Sequence, residues 1–341
     1  MRAGLLKTAR EIQVVDVDEP DPSSGELLIE IRAAGVCGSD IHAFRGHHPF
    51  RKPPVVLGHE AAGRILPGGG ADGRYPAGAR VAIMPLVSCW RCPRCRTGMP
   101  HMCAERRVPG AGGWPGLLSE RVAAPGDVLY ELADSVSYAE GAMIEPLAVA
   151  WRAVRGAGIA PGHSVAVLGA GTIGALVARL CLLHQVGALM VSDVRTYNLE
   201  FTRTLGPCHA VNAAEEDVVA AGHALTGPDG FDAVIVASGH PGSLDEAIGL
   251  CRPLGTVIVL PLFASAVRTD INPLVLKEVR VQGVTVYTPA DFSAAANLVN
   301  SGRIDVRRFI TKRALIEDTP AVFTALDKGL DRIKVQIEMT S

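Results

Sequence analysis

A parallel, doubly wound α/β unit inserted into an irregular β-rich domain is the fold class that these 341 residues predict, and three observations carry it. From Ile12 to about Asp134 the chain reads as short strands broken by turns, with Pro20, Pro22 and Gly25 among the early breaks. After Pro161 the grain changes to apolar strand (164–168), glycine turn (169–174), long aliphatic helix (175–184) and apolar strand (189–192), which is βαβ order. Further apolar runs at 233–237 and 256–262 flank a helical stretch at 243–251, so the parallel sheet continues to about Tyr287. The period switches near Ala148 and again near Thr288. This divides the chain into an outer domain, 1–147 with 288–341, and an inserted one, 148–287. Gly68, Gly69, Gly70 and Gly73, with Pro76, read as a loop, and no internal repeat is visible.

At 48% hydrophobic and 20% charged residues the chain can bury more than one core, and with 5% aromatics those cores are mainly aliphatic. The 33 basic and 35 acidic side chains leave a net charge of −2, which excludes nucleic-acid binding by bulk charge and offers nothing to an anionic membrane. The longest apolar stretches, such as 165–168 and 257–262, fall far short of the roughly 20 residues that span a bilayer. The first ten residues scatter Arg2, Lys7 and Arg10 and lack the apolar run of a signal peptide, so a cytoplasmic protein is expected.

Eight cysteines are too few for a disulfide scaffold in a chain this long, yet four of them crowd into fifteen residues. Cys89, Cys92, Cys95 and Cys103 have the spacing Cys-x2-Cys-x2-Cys-x7-Cys, with Pro93, Gly98 and Pro100 supplying turns inside a lobe at 86–106. Four thiolates close a tetrahedral sphere, so the expectation is a structural zinc. Free thiols or an iron–sulfur site are the alternatives, although the spacing is not that of the ferredoxin runs.

A second group is more dispersed. Cys37 lies in Gly-Val-Cys-Gly-Ser-Asp-Ile-His (35–42), and His59 and Glu60 follow in Gly-His-Glu (58–60). One sulfur, one imidazole and one or two carboxylates make an open zinc site with room for water or a substrate oxygen. Singly, each is weak evidence, because lone cysteines and histidines are more often packing residues. Glu145 stands in an apolar run where an unpaired charge would cost several kcal/mol, so a cation should face it. The competing reading is a carboxylate at the start of a helix, ahead of Pro146.

Gly169, Ala170, Gly171, Thr172, Ile173 and Gly174 match Gly-x-Gly-x-x-Gly. Their place after a strand and at the opening of a helix makes them a pyrophosphate turn, with the helix N-terminus receiving the anion. Asp193 ends the next strand, nineteen residues after Gly174, where a carboxylate accepts hydrogen bonds from ribose hydroxyls. That favours NAD over NADP. Arg195, two residues on, is the side chain that could accommodate a 2′-phosphate instead.

Taken together, residues 35–42, 58–60, the Cys89 lobe, Glu145-Pro146-Leu147-Ala148, the turn at 169–174 and a late segment at 277–283 resemble the zinc-containing medium-chain alcohol dehydrogenase family. Within it they are similar to the polyol (sorbitol-type) and threonine dehydrogenase branch, and the resemblance covers nearly the whole chain. It implies a GroES-like, partly open β-barrel catalytic domain enclosing a Rossmann domain, with the active site in the cleft between them. By position it implies that Cys37 and His59 bind a catalytic zinc, that Glu60 and Glu145 share its remaining coordination, and that Asp40 holds His59. Glu145 stands where the alcohol dehydrogenase branch has cysteine, which points to the polyol branch. Ser39 would take the substrate proton and His42 pass it outward. The implied chemistry is oxidation of a secondary alcohol of a polyol, cyclitol or amino alcohol to a ketone by hydride transfer to NAD, with two zinc ions per chain. An L-threonine 3-dehydrogenase or a simple diol dehydrogenase is the nearest alternative, and a non-enzymatic nucleotide-binding relative a remote one. A homodimer or homotetramer is implied, joined along a strand at 279–287. Ala79 replaces the aspartate of the family's Gly-Asp-Arg-Val, Asn198 stands where relatives often carry arginine, and Trp114 either walls the substrate pocket or packs on a loop. Cys181, Cys208 and Cys251 are expected to be ordinary packing thiols.

Overall fold

The computed structural model describes residues 1–23, 25–67 and 74–339; the glycines at 68–70 and 73, read above as a loop, lie outside the described residues. In chain order the strands are β1 (Arg2–Thr8), β2 (Glu11–Asp16), β3 (Glu26–Val36), β4 (Val55–Val56), β5 (Glu60–Ile65), β6 (Arg80–Ile83), β7 (Arg121–Pro125) and β8 (Leu129–Glu131). They continue as β9 (Ser164–Leu168), β10 (Ala188–Asp193), β11 (His209–Asn212), β12 (Phe231–Val236), β13 (Cys251–Val259) and β14 (Arg280–Gly283), then β15 (Ile310–Leu315) and β16 (Lys334–Glu338). The chain divides into two compact units, Met1–Glu145 with Tyr287–Ser341, and Pro146–Val286. The boundary falls inside the helix Ile144–Gly156. Among the described residues no helix is long and apolar enough to cross a membrane.

The outer unit holds a sheet in the order β15-β16-β3-β5-β6-β8, with β7 also paired to β3, and a smaller sheet β2-β1-β4. Along β3 burial first alternates, with Leu27, Ile29 and Ile31 turned inward, and then becomes continuous from Ala33 to Val36. A half-solvated antiparallel strand alternates in this way, and continuous burial marks the point where β3 enters the interior on both faces. Cys37 comes next. The register places Gly35 opposite Glu60 of β5, and Val36 opposite Val335 of β16.

The inner unit is a six-stranded parallel sheet, β11-β10-β9-β12-β13-β14. The order reverses between β9 and β12, the first strand and the fourth, which is the topological switch point at which open α/β sheets bind ligands. Its centre is aliphatic as the composition requires: Val165, Val167, Val234, Ile235, Val257 and Ile258 have no exposure. The structure departs from the sequence reading at three places. β13 begins earlier, at Cys251, and ends at Val259 rather than Leu262, because Pro261 cannot donate to a ladder and Leu262 turns to solvent. The last strand spans only 280–283, since Val286 adopts a φ of 45° that ends the extended run. β11 and the helix Val218–Thr226 carried too short and too weak a period to be read in advance.

One polar cluster ties together three central strands of this sheet. Asp232 on β12 accepts hydrogen bonds from the Ser164 amide (2.8 Å) and hydroxyl (2.9 Å) on β9 and from Arg252 Nε (2.8 Å) on β13. Burial raises its pKa, but these donors, the Ser164 amide foremost, outweigh burial and hold it below the usual aspartate value. We expect Asp232→Ala to destabilise the chain by about 1–3 kcal/mol at neutral pH. Because the folded pKa is depressed, the carboxylate's contribution is complete above the unfolded value of about 3.9 and vanishes as pH falls through the folded one. Denaturant titrations of both proteins at pH 7 and in acid check this; a gap that persists unchanged below pH 3 would contradict it.

Candidate active site

The β3–β5 register builds the first cluster. β3 delivers Cys37 just past its end, while Glu60 opens β5 alongside with His59 immediately before it, and one ligand atom from each of the three lies within 4.8 Å of the other two. Space for the Glu60 carboxylate comes from Gly35, where an added Cβ would stand 1.9 Å from Oε2. Asp40, wholly buried on the helix Gly38–Phe44, faces the other side of His59, its Oδ1 3.3 Å from Nδ1. Its Oδ2 accepts the Cys37 amide at 2.9 Å, so one carboxylate orients two members of the cluster. Burial opposes both charges. Their mutual attraction wins, holding Asp40 well below the usual carboxylate range and His59 well above the usual imidazole value.

Two polar partners of this cluster were not foreseen from the sequence. Lys334, at the start of β16 and 2% exposed, donates to both Glu60 oxygens at 2.7 and 2.8 Å and to the Val36 carbonyl at 3.3 Å. Tyr287, wholly buried, donates to Glu145 Oε1 at 2.8 Å. Glu145 sits in the first turn of its helix, as the structural alternative required, and is buried as well. It lies outside the group formed by Cys37, His59 and Glu60. Burial, with the Glu60 charge adding to it, pushes its pKa up to about 7. A cation set among these groups would relieve that pressure, and a thiol, an imidazole and a carboxylate leaving one position free are the donors that a catalytic zinc takes.

The second cluster closes on itself. Ligand atoms of Cys89, Cys92, Cys95 and Cys103 lie within 4.8 Å of one another. The Cys92 amide donates to Cys89 Sγ and the Cys89 amide to Cys103 Sγ, both at 3.4 Å. Such donors favour thiolates, and the Cys95 amide above all draws the Cys92 thiol down to about 6. Four sulfurs with amides aimed at them fit a structural zinc.

In the inner unit, Gly169 has a φ of 102° and lies so close to the next loop that a Cβ would meet Ser238 N at 2.8 Å, while a Cβ on Gly174 would strike Gly169 O. Nothing lies within 4 Å of the Cβ position at Gly171, so the turn is open where the helix Thr172–Leu183 begins. That open end of the helix fits a dinucleotide pyrophosphate. Asp193 Oδ2 accepts the Ala170 amide (2.7 Å) and the Asn198 side chain (3.1 Å), and Oδ1 the Arg195 amide (2.8 Å). Asn198 therefore steadies the carboxylate.

The two relay candidates are held differently. Ser39 Oγ accepts a hydrogen bond from Arg51 Nη1 at 3.3 Å, a third partner that the sequence did not announce. His42 is exposed on the same helix and shares no hydrogen bond with Ser39 among the described residues; burial first, then Arg45 and His47, lower its pKa. Trp114 packs inward, its indole nitrogen donating to Ala123 O. Lys334 escaped the sequence reading because of the strand that carries it. Lys334 and Gln336 alternate with Ile333, Val335 and Ile337, which reads as a strand with one wet face, whereas β16 lies inside a sheet buried on both sides.

The family described as Alcohol dehydrogenase GroES-like domain matches residues 23–134, and that described as Zinc-binding dehydrogenase matches 172–301. Sorbitol dehydrogenase of Bacillus subtilis (strain 168) is 27% identical, covering 99% of this chain and 97% of its own length. A 2-dehydro-3-deoxy-L-galactonate 5-dehydrogenase of Pseudoalteromonas atlantica is 30% identical, covering 96% of each. A solved zinc-binding dehydrogenase from Sinorhizobium meliloti 1021, bound to NADP, superposes with a TM-score of 0.91 at 30% identity, covering 99% of this chain and 98% of that one. With its glycine turn, its four-cysteine lobe and these relatives along nearly its full length, the chain belongs to the zinc-binding dehydrogenase family, GroES-like alcohol dehydrogenase domain included.

Proposed function

We propose that this dehydrogenase oxidises a secondary alcohol of a polyol or sugar acid to the ketone, with NAD as hydride acceptor and two zinc ions per chain. The observation that carries the reading is the Cys37, His59 and Glu60 group, with Glu145 and its Tyr287 partner behind it. Zinc, when bound there, supplies Lewis acidity toward an alcohol, and the nicotinamide takes up hydride. The rest falls to the chain's own groups. Cys37 and His59 would hold the ion, Asp40 fixes the imidazole, and Lys334, bonded to both oxygens, holds the Glu60 carboxylate in position. Ser39 accepts the hydroxyl proton through the lone pair that Arg51 leaves unoccupied. His42, whose pKa is lowered by burial and by Arg45 and His47, carries the proton onward to solvent. The outer unit is the catalytic domain and the inner unit binds the cofactor.

Asp193 favours NAD, since a carboxylate accepts from two ribose hydroxyls and repels a 2′-phosphate. Association through the edge strand β14 is part of the same reading: Val281 on that strand is exposed, as are Leu276 and Val275 beside it.

Three outcomes are expected. Cys37→Ser should lower kcat/KM for secondary alcohols by at least about a hundredfold and reduce bound zinc from two ions per chain to one, read by elemental analysis beside an NADH assay; full activity in that variant would refute the metal role. Asp193→Ala should shift the NAD/NADP ratio of kcat/KM toward NADP by about tenfold or more, the loss of a charged hydrogen bond; an unchanged ratio would remove the assignment. Val281→Asp combined with Leu276→Glu should give a monomer in sedimentation velocity, and an unaltered oligomer would place the interface elsewhere.

A further inference from the structure

Arg51 has no part in the metal group, yet its guanidinium reaches into the same neighbourhood. The side chain is 7% exposed. Its Nε donates to the Pro109 carbonyl at 3.1 Å and Nη1 to Ser39 Oγ at 3.3 Å. The nearest opposite charge is Asp40 Oδ1, 3.9 Å from Nη1, and that oxygen lies closer to His59 at 3.3 Å while also accepting the Gly58 amide. Nη2 makes no hydrogen bond among the described residues. A guanidinium is always charged, and burying it beside a carboxylate already committed to another cation is costly unless a further acceptor meets its open edge. The fixed fork of Nη1 and Nη2 matches a planar carboxylate.

Resting on the reading of Cys37, His59 and Glu60 as the reaction centre, we infer that the substrate is a hydroxy acid, whose carboxylate is gripped by Arg51 close to the carbon that is oxidised. The 3.3 Å from Nη1 to Ser39 Oγ sets that closeness, given the relay role proposed for Ser39 above. One free cationic edge suits a monoanion. A phosphate dianion would call for a second cation, and Lys334 is already spent on Glu60. His48 adds no charge: burial foremost, with Arg51 adding to it, lowers its pKa to about 4, and its Nδ1 accepts the Arg51 amide at 3.2 Å. In the reaction the secondary alcohol gives hydride to NAD⁺ and its hydroxyl proton to Ser39, leaving a keto acid, NADH and a proton released to solvent. The carboxylate is unchanged.

The test uses matched six-carbon pairs, D-gluconate with D-sorbitol and D-galactonate with galactitol, on the zinc-loaded protein, together with D-sorbitol 6-phosphate. Wild type should oxidise at least one aldonate with a kcat/KM tenfold or more above its alditol, and should bind that aldonate saturably in calorimetry without NAD. Arg51→Met should lower the aldonate-to-alditol ratio at least tenfold and abolish the calorimetric signal, while Arg51→Lys should restore part of both. Equal losses for acid and alditol would overturn the inference and leave Arg51 as a support for Ser39, and so would a preference for the alditols or the sugar phosphate. Oxidation of none of these alcohols, with aldonate binding still dependent on Arg51, would instead sink the assignment of the reaction centre and keep the anion site. Melting temperatures of both variants separate loss of binding from loss of fold.

Discussion

The Lys334–Glu60 pair sets the terms on which the outer unit folds. Both groups are sealed from solvent, and removing two ions from water costs several kcal/mol each before their attraction is counted. The pair persists because the lysine reaches both carboxylate oxygens and a carbonyl, leaving little of either charge unanswered. Two other observations follow from it. Gly35 has no side chain to contest the space that the carboxylate occupies, and β16, paired with β3, is the strand that brings the ammonium to it. Glu60 is thus held by an ammonium fixed by the fold, which keeps the carboxylate in place beside Cys37 and His59.

How far this was legible in the chain differs between the units. The inner sheet was readable because βαβ order leaves a strong trace: Ser164–Leu168 is an apolar run too short for a helix, and the glycines after it have only one common use in that position. Its weak points were the places where proline and positive φ cut strands short, at Pro261 and Val286, and the four residues of β11, too few to show a period. In the outer unit the metal-binding types and their spacing marked Cys37, His59, Glu60 and the four cysteines, and the structure gathers them into two groups. What escaped were the side chains that act on those ligands from afar in sequence. Lys334 lies 274 residues from Glu60, and Tyr287 lies 142 from Glu145. Single residues carry no period, and their value appears only once strand order is known.

Glu145 shows why the two readings of a buried carboxylate need not exclude each other. It occupies the first turn of a helix, where the backbone favours negative charge, and it also stands with Glu60 and His59 in one electrostatic neighbourhood. Helix geometry fixes where the carboxyl points, and Tyr287 fixes one of its oxygens. The tyrosine hydroxyl and the carboxyl are buried together and bonded to each other, so the glutamate and Tyr287 are best regarded as one unit.

The discontinuity of the outer unit also has a temporal side. During synthesis the inner unit, contiguous in sequence, has all its strands once residue 286 leaves the ribosome, whereas the sheet beside Cys37, His59 and Glu60 still lacks β15 and β16. Until β16 emerges, the Glu60 side chain has no ammonium to meet it. The nascent chain must therefore keep that pocket wet through the translation of the 274 residues that separate Glu60 from its lysine.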